Sequence, residues 1–583
     1  MVTHRNADAP TGLEQNAVGG ARELIDAGTS LVIDIDENLV RGVVFDSVEG
    51  QARFVASAQA PSTLGAPISD PSVGVREVVS ILEQQTGFEL TSEGDEGSHL
   101  GPFAITGYPV KALTVAIVPT GRHVLTKMLA ATGRATPSSV YLLTDSVRTE
   151  DGVLSSTLLE SRVRSIRPDI VVLLEGDRAQ SEWASAVGTF GMLFQDQTVD
   201  QIIVLASDEF QQYIIQALGE GANLTGLDPA QYENSEVAMA LETELSDMYE
   251  QRVGASPRMG LNRDLKFVSR LRASDLATRF IARRIERNVV AVDVSAGTVI
   301  NWSTMHSGGS AARPDLDVHK NVRSLLSVNF EALRTVVPIE MSQEDLANWV
   351  LNRAVRPRSV SALKQDQVVE SVLLSQVVAT AWRDLEEVAS DQIDVIIAGP
   401  GFCLDADPAL GVMAVLNGIQ PAPLSGVVQV VLDPDGLLWA AGAIGDVAPA
   451  LAADVIENDV LTPAATVVVV EGSGTEAQTA VAGKLTYEDG ESVKFDVPYG
   501  SMFRLPLGDD DQATLVLTCE PGFAVGASNP GEQLHIGPDD GLQGGEVGVI
   551  IDARGRPMST PVDDGATGRA FVRRWYTDLG IEL

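Results

Sequence analysis

Asp34 and Asp36 lie in the stretch LVIDIDENLVRGVVFD (31–46), two positions apart on a strand-like run. Side chains two apart share one face of a strand, so both carboxylates project the same way. Acidic groups at a strand end, beside a turn and a second apolar strand, suit a site for phosphate and its magnesium ion. NVVAVDVSAGTVINWSTM (288–305) repeats the pattern with Asp293 and Thr298, and DVIIAGPGF (394–402) ends a buried strand in a turn with Gly399 and Gly401.

The residues at the first turn oppose that chemistry. A phosphate-cradling hairpin needs glycine for close backbone approach and hydroxyls or amides as donors. This chain has Asp36, Glu37 and Asn38 there. An ionised carboxylate about 4 Å from a phosphate charge is repelled by about 4 kcal/mol at an effective dielectric of about 20. That corresponds to roughly a thousandfold in affinity. A magnesium ion bridging Asp34, Asp36 and phosphate would reverse the sign.

The elements around these residues follow from periodicity. Leu31–Ile35, Gly42–Phe45 and Ala52–Ala60 read as a three-strand meander. In VGVREVVSILEQQTG, Val75, Val78, Val79 and Leu82 fall on one helix face, and Gly87 can end the helix. FAITG and LTVAIVP read as a strand pair, and GRHVLTKMLAATGRATP as a short helix. RPDIVVLLEG and DQIIVLAS read as buried strands; RAQSEWASAVGTFGMLF and DEFQQYIIQALGEG read as helices, the last capped by Ser207 or Asp208. This alternation indicates a mostly parallel or mixed sheet covered on both faces. DQVVESVLLSQVVATAWRDLEEVAS predicts a helix of about seven turns. VVQVVLDPDGLLWAAGAI reads as a hairpin turning at Asp433–Gly436. From near Thr462 the pattern becomes short alternating strands with Gly, Asp and Pro turns, and a last helix around GRAFVRRWYTDLG.

With 583 residues the chain has room for three or four domains, and 44% apolar residues supply their cores. A formal net charge of −39 argues against non-specific binding to nucleic acid or an anionic membrane. No window approaches the roughly 18 apolar residues of a membrane span, and residues 1–28 read as a flexible leader. Cys403 and Cys519 form no CxxC, so neither a disulfide framework nor a zinc site is signalled, and a reducing cytoplasm is expected.

Other chemistry is sparse. His4, His99, His123, His306, His319 and His535 are scattered without metal spacing, and no Walker loop or GxSxG elbow occurs. A basic stretch runs from Arg263 to Arg287, with Lys266, Arg270, Arg272, Arg279, Arg283 and Arg284 between. It reads as a helix whose arginines pair with the chain's own carboxylates, or else as a docking surface for an acidic partner or a phosphate-recognising stretch. In DARGRP, Arg554 and Arg556 suit either internal carboxylate pairs or a bound anion. Phe571, Trp575 and Tyr576 should anchor the last helix.

Two acidic strand–turn–strand elements separated by a long α/β segment resemble the superfamily of actin, hexokinase and the sugar kinases. The order of RPDIVVLLEG, IIVLASDEFQQYIIQALGE, VVAVDVSAGT, ALGVMAVLNGIQPAPLSGVVQVVLDPDGLLWAAGAI and GGEVGVIIDARGRP more closely resembles the MutL (GlmL) family associated with cobalamin-dependent glutamate mutase. The resemblance implies a two-lobed actin-like α/β fold with duplicated strand-hairpin and helix units, plus a C-terminal all-β domain. With the residue pattern, the expected division is a flexible leader at 1–28, a first lobe with an inserted α/β segment at 29–288, a second lobe at 289–460 and a β-rich domain at 461–583. The resemblance offers Asp34, Asp36, Arg41, Asp293, Thr298, Gly399 and Gly401 as the candidate nucleotide-binding set, with Asp34 the metal ligand only if a magnesium nucleotide binds; no cofactor is certain, and ATP with Mg2+ is the candidate.

Against the family's first hairpin, Asp34 is kept and Arg41 stands at the lysine position, but Asp36 replaces a glycine, Glu37 and Asn38 hydroxyls, and Val40 a threonine. In the second, Asp293 and Thr298 remain while Ser295 and Ala296 replace glycines, Val299 a threonine and Ile300 an aspartate. The glycine-rich turn expected after VVLL is Glu175-Gly176-Asp177-Arg178-Ala179-Gln180. The expectation is a non-catalytic or weakly nucleotide-binding scaffold, chaperone-like towards a protein partner such as a cobalamin-dependent mutase. The rivals are an active ATP-dependent reactivating chaperone and an actin-like structural polymer.

Overall fold

The computed structural model describes residues 28–583 except 91–99, 108–112, 121–125, 130–137, 219–223, 229–233, 255–265, 386–391, 420–423 and 557–564, with gaps of one to three residues elsewhere. Most of the leader, Glu37, Ala296, Arg263, Asp177–Ala179 and nearly all of GRHVLTKMLAATGRATP lie outside the described residues. The chain divides into two compact units, one spanning Tyr108–Pro257 and the other Pro10–Gly107 with Arg258–Leu583.

The larger unit opens with strands β1 (Thr29–Ile35), β2 (Leu39–Val48) and β3 (Gln51–Pro61), helix α1 (Pro71–Thr86) and strand β4 (Leu100–Gly107). β1–β3 form the expected antiparallel meander, and β4 lies parallel to β1. Alternation along β1 divides its side chains between two cores. Leu31, Ile33 and Ile35 pack with Val75, Val78, Val79 and Leu82 of α1. Val32 faces the opposite core, and Asp34 and Asp36 share its side of the strand. Gly42 permits the approach of α1, because a Cβ there would lie 2.6 Å from Val78 Cγ1.

The smaller unit is a five-stranded parallel sheet in the order β6-β5-β7-β8-β9, formed by β5 (Leu113–Pro119), β6 (Ser138–Leu142), β7 (Ile170–Leu174), β8 (Gln201–Leu205) and β9 (Leu224–Leu227). Helices α2 (Ser156–Ile166), α3 (Gln180–Gln195), α4 (Asp208–Leu218) and α5 (Asn234–Gly254) belong to it. Its core includes Val171, Leu173, Val204, Phe190 and Phe210. FAITG and LTVAIVP are therefore not a pair: the first is in β4 of the larger unit, and the second is β5, between β6 and β7.

The larger unit resumes with β10 (Lys266–Phe267), parallel to β4, and helix α6 (Arg270–Ile285). The meander then recurs as β11 (Val289–Ser295), β12 (Gly297–Ser303) and β13 (Gly308–Arg313). Helices α7 (Ser324–Val328), α8 (Phe330–Val336), α9 (Gln343–Val355) and α10 (Lys364–Trp382) follow. Next come β14 (Val395–Ala398), α11 (Pro408–Gly418), β15 (Gly426–Leu432), α12 (Leu437–Gly445) and α13 (Pro449–Asn458). The first sheet runs β3-β2-β1-β4-β10, and the second begins β13-β12-β11-β14-β15, the same order repeated. This is the duplicated, two-lobed actin-like architecture. Each fifth strand leads into an inner helix, α6 or α12. The two helices pack so closely that a Cβ on Gly442 would lie 1.7 Å from the Ala273 carbonyl oxygen.

Two element readings change. The segment after Asp433 is helix α12, not a second hairpin strand, because the Asp433 carboxylate accepts the amides of Leu437 (2.7 Å) and Leu438 (2.9 Å) and starts the helix. The helix read as about seven turns ends at Trp382 after 19 residues. Beyond Thr462 come β16 (Thr462–Val469), β17 (Glu471–Gly472), β18 (Thr479–Tyr487), β19 (Ser492–Pro498), β20 (Met502–Leu505), β21 (Ala513–Cys519), β22 (Phe523–Ala524), β23 (Gln533–Ile536), β24 (Gly548–Asp552) and helix α14 (Gly565–Asp578). This region is β-rich as expected, but β16, β24 and β20 extend the second sheet beyond β15. Trp575 and Tyr576 sit in the same core as Val372 and Val428.

Candidate functional site

β1 presents Asp34, and the turn just after it Asp36, on the face that meets α6, and β11 presents Asp293 and Ser295 beside its inward-facing Val289 and Ala291. Arg270 opens α6, capped by the Ser269 hydroxyl accepting from the Arg272 amide at 3.2 Å. Its guanidinium enters the space between the two hairpins. Nε donates to Asp34 Oδ1 at 3.2 Å and Nη2 donates to Asp34 Oδ2, a two-pronged pair 3% and 2% exposed. Nη1 donates to the Ser295 hydroxyl, which donates on to Asp293 Oδ2 at 3.0 Å. Asp36 Oδ2 and Asp293 Oδ2 each lie 3.9 Å from the guanidinium. One arginine thus bridges the first strands of both repeats.

Asp36 Oδ1 accepts the amides of Asn38 (2.5 Å) and Leu39 (2.7 Å), closing the turn with its own carboxylate. Burial raises its pKa above the ordinary carboxylate value, with Arg270 acting in the opposite sense. Asp433, at the strand-to-helix turn of the second repeat, is fully enclosed, and burial pushes its pKa up to about 7. A cavity of about 10 Å³ remains among Arg270, Asp293, Gly399, Asp433 and Trp439, room for about one water molecule.

The other residues singled out from the sequence divide. Arg41 lies at the same cleft: a Cβ on Gly436 would be 3.2 Å from its Nη1. Gly399 makes room for Asp293, whose Oδ1 would be 2.8 Å from a Cβ there. Gly401 accommodates the Val294 carbonyl, 2.5 Å from the position a Cβ would take. The Thr298 hydroxyl donates to the Leu316 carbonyl at 2.9 Å and is buried in that bond. Asp34, the candidate metal ligand, has both oxygens on Arg270, and among the described residues no group of three His, Cys, Asp or Glu could hold a metal. The chemistry of this donor set does not fit a magnesium nucleotide, since a cation of the chain already stands between the carboxylates.

Local pattern does not mark Arg270 or Asp433 as site residues. Arg270 was one cation among several, although it falls on the apolar face of α6 with Ala273, Ala277 and Ile281 at helical spacing. The isolated histidine His319 is held down to a pKa of about 4 by burial, then by the charges of Arg353 and Arg41. Of the rest of the basic stretch, Lys266 and Arg272 pair with Asp446, Arg279 with Asp275 and Arg284 with Glu457, while Arg287 donates to the Gln429 side chain at 2.7 Å. Arg554 and Arg556 both bond Asp552, whose carboxyl they hold far below the ordinary range despite its burial.

Fold and site together define a protein of duplicated, two-lobed actin-like fold whose two acidic hairpins are joined by an internal arginine. Component A of (R)-2-hydroxyglutaryl-CoA dehydratase from Acidaminococcus fermentans is similar over 73% of this chain and 99% of its own, at 10% identity and a TM-score of 0.27. A ROK family glucokinase from Streptomyces griseus is similar over 72% and 98%, at 12% identity and a TM-score of 0.26. A nucleotide-free diol dehydratase-reactivating factor is similar over 72% and 99%, at 10% identity and a TM-score of 0.28. No family model and no curated protein matches the chain. Among the described residues no helix is long and apolar enough to cross a membrane.

Proposed function

We propose that this protein is a non-catalytic scaffold of actin-like fold, at most weakly nucleotide-binding, that acts chaperone-like on a protein partner. The observation that carries this reading is the Arg270 guanidinium between Asp34 and the Ser295–Asp293 pair. In a working site of this architecture a nucleotide and its metal would bring charges of both signs between the hairpins and couple the lobes to turnover. Here a side chain supplies the cation permanently, and Asp36 adds a carboxylate where phosphate would lie. The order of segments resembling the MutL family supports a cobalamin-dependent mutase as the partner class.

Isothermal titration of the full chain with millimolar Mg-ATP, paired with a thermal shift and a phosphate-release assay, tests the reading. The expected result is no saturable heat in the micromolar range, at most a small rise in Tm and no released phosphate. Micromolar affinity with turnover would establish the active ATPase instead.

A further inference from the structure

Helix α9 ends, and α10 begins, on a segment whose apolar side chains face solvent: Leu351 is 46% exposed, Val355 78%, Val360 79% and Leu363 66%. Leu351 and Val355 are one helical turn apart and share a face. Arg356 and Arg358 lie between the valines, both exposed, and among the described residues neither guanidinium makes an ion pair or hydrogen bond. Four exposed aliphatic side chains interleaved with two uncommitted arginines contrast with a chain of net charge −39.

The segment is held from beneath. Arg353 is buried, bonds the Val318 carbonyl at 3.2 Å and the Ser359 carbonyl, and pairs with Glu370 of α10. Gln367 Nε2 holds the Ser361 carbonyl at 2.9 Å, and Trp349 Nε1 donates to Asp366 at 2.9 Å. Both flanking helices and the loop are therefore fixed before any partner arrives, which lowers the ordering cost of binding. Aliphatic anchors with a cationic rim fit a partner bearing apolar residues among carboxylates.

We propose that Leu351–Leu363 is a docking surface for an acidic amphipathic helix of a partner protein. This deepens the scaffold reading only in giving the partner a chemistry, and it stands or falls independently of the nucleotide titration.

The test is fluorescence anisotropy of the full chain with a labelled synthetic helical peptide. The peptide carries Leu at i, i+3, i+4 and i+7 and Glu elsewhere; its counterpart carries Lys at every Glu position. At long range the net charge favours the Lys peptide, so preference for the Glu peptide reports the local surface. The expected result is saturable binding of the Glu peptide, weakened about tenfold or more by R356E/R358E and by V355S/V360S. The variants alter exposed side chains, and an unchanged circular dichroism spectrum verifies their fold. Binding of the Lys peptide alone, absence of binding to either peptide, or indifference to both variants would overturn the proposal. So would a dimer in sedimentation that the variants dissolve, which makes the surface a self-interface, or variant-sensitive binding to phosphatidylserine vesicles.

Discussion

A guanidinium that is 3% exposed must find its counter-charge within the protein, and Arg270 finds it on Asp34, with Asp36 and Asp293 further out. Removing one member leaves the others uncompensated. R270M should cost about 3–5 kcal/mol in urea denaturation. The double variant R270M/D34L should be more stable than the sum of the two single losses by about 0.5–3 kcal/mol. Strict additivity would mean that the pair does not operate as a unit. Asp433 gives a second residue-scale expectation. Its folded pKa of about 7 lies above the unfolded value of 3.8, so the folded chain binds this proton more tightly. This group's contribution to stability is then full below about pH 3.8, falls as pH rises, and is lost above about 7, a change on the order of 4 kcal/mol. D433N should flatten ΔG against pH in that window while leaving the slope that the raised Asp36 contributes. Asp552 acts elsewhere: its lowered pKa contributes stability above 3.8 that is lost below it. An unchanged slope in D433N would show that this carboxyl titrates as it does in the unfolded chain.

At the scale of elements, periodicity made the first repeat legible. Alternation in β1 and the helical spacing of Val75, Val78, Val79 and Leu82 each placed a hydrophobic face, and those faces meet. The same signal misled where it carried no direction. Leu437–Gly445 is buried throughout, so its apolar run has no polar side to distinguish helix from strand, and only the Asp433 cap marks it as α12. FAITG and LTVAIVP are adjacent in sequence, yet the strands pair with partners far away, β1 and β7, which local pattern cannot anticipate. The site was half legible for the same reason. Asp34, Asp36 and Asp293 announce themselves by position at strand ends. Arg270 lies 236 residues from Asp34, beyond the whole Tyr108–Pro257 unit, and joins it only once α6 lies against the first sheet.

At the scale of the whole molecule, the question is which parts of the chain can stand without the others. The change of pattern near Thr462 suggested a boundary, but the core crosses it: Ala464, Val467, Ile550, Val572, Trp575 and Tyr576 pack with Val372, Val378 and Val428. β16 also covers the edge of β15 along seven residue pairs, from Gly426 to Leu432. A chain ending at Leu461 would expose that edge and remove one side of the core, leaving apolar surface and unpaired backbone that water and other chains compete to cover. Residues 108–257 differ, because among the described residues their five strands pair with one another alone and enclose their own core. Expressed separately, 108–257 should unfold cooperatively in calorimetry, whereas 1–461 should aggregate or melt without a transition. A sharp, reversible transition in 1–461 would place the true boundary near Thr462 and make the strands beyond it a dispensable module. If the expectation holds, the β-rich C-terminal part is a structural half of the second lobe, and a partner that grips it also grips the sheet carrying Asp293.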